Sequence, residues 1–283
     1  MIHPPGWRKP SGSIEYGEKE TSGDIWKELR KYNLIFLNIS DILIKNFPPV
    51  DYYVIQKSHI RQDTLVNNIY KNYKYTGYLN LYDFTFIPNF ISDVCFKILK
   101  KTLNNNNNFD IIYNQSFKPN KDSLIPKGIP HAWLPVGDKY NNYEYAYKEY
   151  ESVPDYINHN KIIMTHIGGS SLKHCNLYAK FYNKPTGTTN NTMYLITDNE
   201  YYVKLFNSKL IRFILNITQY THGQFANNQY KLLRKIIKPD KPLNTDEEIY
   251  DYYGINENER KLIEEIVENS NKPKPKKVKT FDF

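Results

Sequence analysis

Hydrophobic positions along this chain recur with two periods, and the switch between them outlines the elements. Residues 24–32 (DIWKELRKY) carry the spacing of a short amphipathic helix with Asp24 as candidate N-cap. Two β-like runs follow, LIFLN at 34–38 and VDYYVIQK at 50–57, joined by a polar turn containing Pro48 and Pro49. DTLVNNIYKNY (63–73) predicts a helix, and DVCFKILKKTL (93–103) a clearer amphipathic one ending in the Asn run 104–108, which reads as loop or disorder. Turn formers crowd 110–157 (Pro119, Pro126, Gly128, Pro130, Pro135, Gly137, Pro154), so irregular structure with short strands is expected there.

The second half is more regular. KIIMTHI (161–167), LYAKFY (177–182) and TMYLIT (192–197) predict three strands between Gly-, Asn- and Pro-containing loops. Val203, Phe206, Leu210, Phe213, Ile214 and Ile217 recur at helical spacing, which predicts one long helix over 200–219. YKLLRKI (230–236) is a shorter element. TDEEIYDYYG (245–254) and NENERKLIEEIVE (256–268) predict a helix pair, with Thr245 and Glu248 as a capping box and Gly254 as a C-cap.

Composition narrows the classes without choosing among them. The 283 residues are enough for one large or two modest domains, 40% of them hydrophobic and 24% charged, as in ordinary globular proteins. No apolar run approaches the roughly 18 residues that span a bilayer, and no signal core follows MIHPPGWRKP. An intracellular protein is expected: cytoplasmic, or in a host's nucleus or cytoplasm if the source is viral. Cys95 and Cys175 are too few for a disulfide framework or a cysteine-based zinc site. The net charge of +8 depends on the tail KPKPKKVK; without Lys272, Lys274, Lys276, Lys277 and Lys279 it falls to +3. The 26 tyrosines and the Asn run have the look of an AT-rich coding sequence, so single Tyr and Asn residues carry little weight.

Two groups of motifs go beyond pattern. HPPGWRKP, a helix, LIFLN and FPPVDYYVIQK form the first. The second is THIGG (165–169), GTTNNTMYLI (187–196), LFNSKLIRFILNI (205–217), a turn at Gly223–Phe225 and TDEEIYDYYGINENERKLIE (245–264). In this order they resemble the end of the catalytic domain and the target-recognition region of restriction–modification-type adenine-N6 DNA methyltransferases, including those of large DNA viruses. The resemblance covers about 1–57 and 160–265. It implies a strand entering the Pro-Gly-Trp-Arg-Lys-Pro turn and an Asp-Tyr-Tyr strand that closes the catalytic sheet.

The chain departs from that family where the chemistry lies. It has neither a Gly-rich turn for S-adenosylmethionine nor the Asn/Asp-Pro-Pro-aromatic tetrad that holds a flipped adenine. His3-Pro4-Pro5-Gly6 lacks both the acceptor and the ring, and Asn46-Phe47-Pro48-Pro49 is out of order. The chain is therefore expected to be inactive alone, with no catalytic, cofactor or metal residues of its own. S-adenosylmethionine would belong to a partner catalytic half, the chain itself being the C-terminal part of a split or truncated gene.

The resemblance carries most of the candidate DNA contacts. Thr188, Thr189, Asn190 and Asn191 lie on a loop that could enter a groove, where Asn pairs with adenine and Thr with a methyl or phosphate; the same residues also suit a plain glycine turn. Gln219, His222, Gln224 and Asn227, with Tyr220 and Gly223, form a polar cluster after the long helix. It suits base reading and a solvated connection equally. Lys209 and Arg212 on that helix, with Lys204, are candidate phosphate contacts or a solvated face. Trp7 and Arg8 would lie near the base pocket by analogy, or be a packed ring and a surface arginine. His159 and His166 lack companion ligands. The Lys-rich tail suits a nuclear-import signal, a nonspecific DNA arm, or disorder without a dedicated role.

The expected architecture is α+β: an incomplete C-terminal piece of an α/β methyltransferase sheet (1–58), then a mixed strand/helix target-recognition domain with a terminal helical pair (59–265), then a basic disordered tail (266–283). Double-stranded DNA is the expected partner, with a catalytic chain docking on residues 1–57 and no membrane. Three functions stay open: a methyltransferase subunit, a stand-alone DNA-binding protein without catalysis, and a functionless remnant.

Overall fold

The computed structural model describes residues 2–3, 5–8, 23–40, 51–58, 60–70, 73–104, 106, 109–113, 117–132, 145–165, 177–190, 192–218 and 231–271. Its elements are mixed helix and strand in several small sheets. The first sheet has five strands in the order β1-β3-β2-β4-β5: β1 Ile2–His3, β2 Asn33–Ser40, β3 Asp51–Gln56, β4 Thr64–Tyr70 and β5 Tyr73–Leu79. Strand β3 lies between β1 and β2 and is antiparallel to both, whereas β2 runs parallel to β4.

Strand β4 corrects the helix expected at 63–73. Leu65, Val66, Ile69 and Tyr70 mimic helical spacing, yet burial alternates strictly along the segment, with Thr64, Val66, Asn68 and Tyr70 inward. Val66 pairs with Leu37 and Gly77, and the buried Asn68 accepts from the Ile91 N–H at 3.0 Å while donating to the Asn89 carbonyl at 2.9 Å. Sheet neighbours and those long-range bonds override local spacing, as short apolar runs allow. The strands at 34–38 and 50–57 are expected from the sequence to find few neighbours within the chain. Strand β4 supplies the missing one, so the sheet runs across residue 58.

α1 (Gly23–Leu29) begins one residue before Asp24, which therefore sits inside the first turn and not at the cap. It packs on the turn Pro5–Arg8 through Trp26, which is fully buried and meets Trp7 edge-on at 6.1 Å. The amphipathic α2 (Asp93–Thr102) forms as expected, capped by the Ser92 side chain, which accepts from Cys95 N.

The second sheet has the order β10-β9-β12-β6: β6 Ile111–Tyr113, β9 Lys161–Thr165, β10 Ala179–Tyr182 and β12 Thr192–Ile196. One face, with Ile162, Met164, Met193 and Leu195, joins the main core, and the other closes a smaller one around Ile163, Tyr182, Tyr194 and Ala132. Central β9 is buried on both faces, which accounts for its unbroken apolar run.

The helix expected over 200–219 is two: α3 (Tyr202–Phe206) and α4 (Lys209–Ile217). The break is made by Asn207 and Ser208. The Asn207 carboxamide accepts from Ala179 N–H and donates to Ala179 C=O, both at 2.9 Å, so it occupies the free edge of β10. Ser208 then caps α4 by accepting from Ile211 N.

α5 (Asp246–Tyr252) and α6 (Glu257–Asn271) form the terminal pair as the capping signals predict. Thr245 Oγ1 accepts from Glu248 N at 3.1 Å, and Gly254 takes φ +63°, where a side chain would be strained. Tyr70 and Tyr73 of the first sheet donate to the Asn216 carbonyl and to Glu265, and one apolar core extends from Trp7 and Leu37 to Phe206, Leu210 and Ile263.

Candidate nucleic-acid interface

The loop expected to read DNA starts on β11 (Gly187–Thr188), one edge of a third sheet, with β7 (Ile129–Ala132) in the middle and β8 (Tyr145–Lys148) beyond. β11 runs parallel to β7, Gly187 facing His131 and Thr188 facing Ala132. The approach is so close that a Cβ on Gly187 would fall 2.2 Å from the His131 ring. Glycine is required there by contact, not by backbone conformation.

His131 organises this corner. It is fully buried, its ring 4.7 Å from Phe117 and stacked on Tyr150 at 5.6 Å. Nδ1 lies 2.9 Å from the Ile129 carbonyl, which can only accept, so Nδ1 carries the proton and Nε2 accepts from the Tyr150 hydroxyl at 2.7 Å. Burial pushes the His131 pKa down to about 4, against the opposing Ile129 hydrogen bond and with Lys148 adding to the fall. Burial likewise pushes Tyr150 up to about 12. The Lys148 ammonium stands over both rings, 5.6 Å from Phe117 and 4.6 Å from Tyr150.

Each expected site residue has a definite place. Thr188 and Thr189 are buried, with relative exposures of 2% and 0%. The Thr188 hydroxyl donates to Tyr156 and that of Thr189 to the Ala132 carbonyl, so both serve the loop internally. Asn190 is half-buried, its N–H donating to the Phe117 carbonyl at 2.7 Å. Lys209 bonds Glu264 at 2.9 Å, and that contact raises its pKa. Arg212 is half-buried one turn further along α4, its Nε enclosed without a partner. Asn191, Gln219, His222, Gln224 and Asn227 lie outside the described residues, as do Tyr220, Gly223 and His166. His159 is exposed and bonds Asp155.

A basic rim beside the loop was not read from the sequence. Asn190 N–H donates to the Phe117 carbonyl, so the exposed Lys118, the next residue, lies beside it, with exposed Asn120 and Lys121 further along the same segment. The signal was the run Phe-Lys-Pro-Asn-Lys, which passes for ordinary turn chemistry until its neighbours are known. Asn120 and Ser123 fix that turn by mutual side-chain bonds to each other's backbone N–H.

Beside the first sheet, Trp7 and Arg8 face inward. Arg8 Nε meets Asp51 Oδ2 at 2.7 Å, Trp7 Nε1 donates to the same oxygen at 2.8 Å, and Arg8 Nη1 donates to the Pro88 carbonyl at 2.9 Å. Trp7 is a packed ring as one sequence reading had it, but Arg8 is 1% exposed and so is not a surface residue. Both side chains are engaged inside the protein and neither is free to line a base pocket.

Among the described residues, no three His, Cys, Asp or Glu side chains could hold a metal ion, and no helix is long and apolar enough to cross a membrane. No model of a known protein family matches the chain, and no curated protein matches it.

Proposed function

We propose that this chain is the DNA-binding, target-recognition portion of a site-specific adenine-N6 DNA methyltransferase of restriction–modification type. S-adenosylmethionine and the base pocket belong, in this reading, to a separate catalytic chain. The observation that carries the proposal is the clamp between Trp7, Arg8 and Asp51. It joins the Pro-Gly-Trp-Arg turn to the Asp-Tyr-Tyr strand, the two ends of the first motif group that carries the resemblance. The later motifs also meet: Lys209 N–H in Phe-Asn-Ser-Lys-Leu-Ile donates to Asp246 in Thr-Asp-Glu-Glu at 2.9 Å.

The docking surface for the catalytic chain is the open face of the first sheet. Val54, Phe36, Leu65 and Tyr78 share one cross-strand row and Tyr52 belongs to the next. Tyr52, Val54 and Tyr78 are 46%, 49% and 68% exposed, an apolar patch of the kind that marks an interface. DNA would meet the opposite part of the chain, at Asn190 and the Lys118–Lys121 rim. A stand-alone DNA-binding protein is the second reading, favoured by the pairing of β2 with β4 inside the chain.

Co-expression with a catalytic chain carrying the cofactor and tetrad motifs tests the first reading. The expected result is a stable complex that methylates adenine at one sequence, with DNA affinity falling steeply as salt rises. Salt-sensitive, sequence-selective DNA binding without any complex would favour the second reading. No DNA binding under either condition would overturn both.

A further inference from the structure

Three cations converge on the segment 82–85, and none of them has an ion pair with a described residue. Arg30, just past the end of α1, donates from Nη2 to the Tyr82 carbonyl at 2.6 Å. Arg61 donates from its own Nη2 to the Arg30 carbonyl at 3.0 Å and stands over the Tyr82 ring, 5.0 Å from its centre. Lys235 Nζ donates to the Thr85 hydroxyl at 2.8 Å. The one acid of that segment, Asp83, is already taken by Lys100. By contrast, Arg8, Lys101 and Arg260 each meet a carboxylate.

The fold holds these positions. The Tyr82 hydroxyl donates to the Tyr32 carbonyl and accepts from Leu34 N–H, which fixes the ring under Arg61. Lys235 is anchored through its backbone: its carbonyl accepts from Asn104 N–H at 2.7 Å, and Ile237 N–H donates to the Thr102 carbonyl at 2.9 Å. Like charges are thus kept together at a cost. Burial first, then Arg61, lowers the pKa of Arg30, and Asp83 opposes this less than Arg61 promotes it. Burial first, then Arg30, likewise lowers Lys235.

Donors remain for a ligand. Nη1 of both guanidiniums has no acceptor among the described residues, and Lys235 commits one of its three N–H groups. The Thr85 hydroxyl accepts from Lys235 and keeps its own proton to donate. Arg61 is exposed whereas Arg30 and Lys235 are half-buried, so the cluster opens to solvent at Arg61. Guanidinium forks match the oxygens of carboxylate and phosphate alike. A carboxylate, however, brings one charge and two oxygens in a single plane. A phosphate brings nearly two charges and three free oxygens, which suits three cations and a hydroxyl arriving from separate elements. We propose that Arg30, Arg61, Lys235 and Thr85 form a binding site for a dianionic phosphate group, either inorganic phosphate or a phosphate monoester. The site shares no residue with the DNA contacts at Asn190, Lys118 and Lys121, so either can fail without the other.

Calorimetric titration of the full chain with inorganic phosphate and with phenyl phosphate, at about pH 8 where both are dianions, tests it. Saturable binding is expected, and Arg61→Gln should weaken it about tenfold, the scale of one lost charge-assisted hydrogen bond. Lys261→Gln removes the same charge from another exposed position and should change nothing. Arg61 is exposed, so its variant should keep the wild-type melting curve; Lys235→Gln, which loses a different donor, should show the same weakening. Equal affinity for the two probes would identify the free ion as sufficient, and tighter binding of phenyl phosphate would identify a monoester. Either result supports the site. No saturable binding of either probe, or equal effects of Arg61→Gln and Lys261→Gln, would overturn it.

Discussion

Arg8 and Asp51 are joined by a 2.7 Å ion pair with both side chains almost wholly buried, across 43 residues of sequence. The indole of Trp7 completes the carboxylate's hydrogen bonds and the Pro88 carbonyl takes a second guanidinium nitrogen, so neither charge is left bare. Such a pair adds modest net stability, but removing one partner strands the other in the core. Asp51→Ala should cost about 3–5 kcal/mol, read from urea unfolding midpoints. An unchanged midpoint would show that the turn is not held through this residue.

Gly187→Ala should be among the most damaging single-methyl additions in the chain. The new carbon falls 2.2 Å from an enclosed ring that has no room to withdraw. The expected loss is about 1–3 kcal/mol. His131→Ala should restore part of it in the double variant, an interaction term that a double-mutant cycle measures. Full additivity would mean the two residues do not touch.

His131 also gives stability a pH dependence. Its pKa falls from 6.5 to about 4 on folding, so between those values the unfolded chain binds more protons than the folded one. The neutral-histidine contribution is complete above about 6.5 and is lost as pH falls toward 4. Thermal melts of wild type should drop over that window, and His131→Phe should flatten the drop attributable to this group. Parallel profiles for the two proteins would remove His131 as the source.

DNA-binding effects should separate by residue. Asn190→Ala with Asn191→Ala should reduce discrimination between sites by about 1–3 kcal/mol per lost bidentate contact. Lys118→Ala and Lys121→Ala should weaken all sequences alike and lower the salt slope by about 1 each. Lys209→Ala should leave DNA affinity unchanged and reduce stability, because its ammonium is already spent on Glu264. Competition binding on matched and scrambled duplexes reads all three.

Much of the fold was legible where local signals and packing agree. α2, the α5–α6 pair with its Thr245 cap and Gly254, and strands β9, β10 and β12 follow directly from period and capping residues. The sequence misled where a distant partner decides. Nothing within 63–73 announces that Val66 will sit between Leu37 and Gly77, and nothing in Phe-Asn-Ser-Lys announces that Asn207 will leave the helix to hold Ala179. The candidate site was legible as a loop but not as a surface. The resemblance suggested that Thr188 and Thr189 reach a groove, whereas their hydroxyls close the loop on Tyr156 and Ala132. Lys118 and Lys121 went unread because their value depends on Phe117 meeting Asn190.

The parallel pairing of β2 with β4 has a consequence during synthesis. At about 5–20 residues per second a ribosome completes β4 roughly one to three seconds after β3. The two early strands can pair at once as antiparallel neighbours, but the second side of β2 must wait. Over that interval its unmatched backbone groups are a template for any nearby strand, including one on a neighbouring nascent chain. A translation pause placed between β3 and β4 should therefore lower the yield of native protein, and one placed after β5 should not.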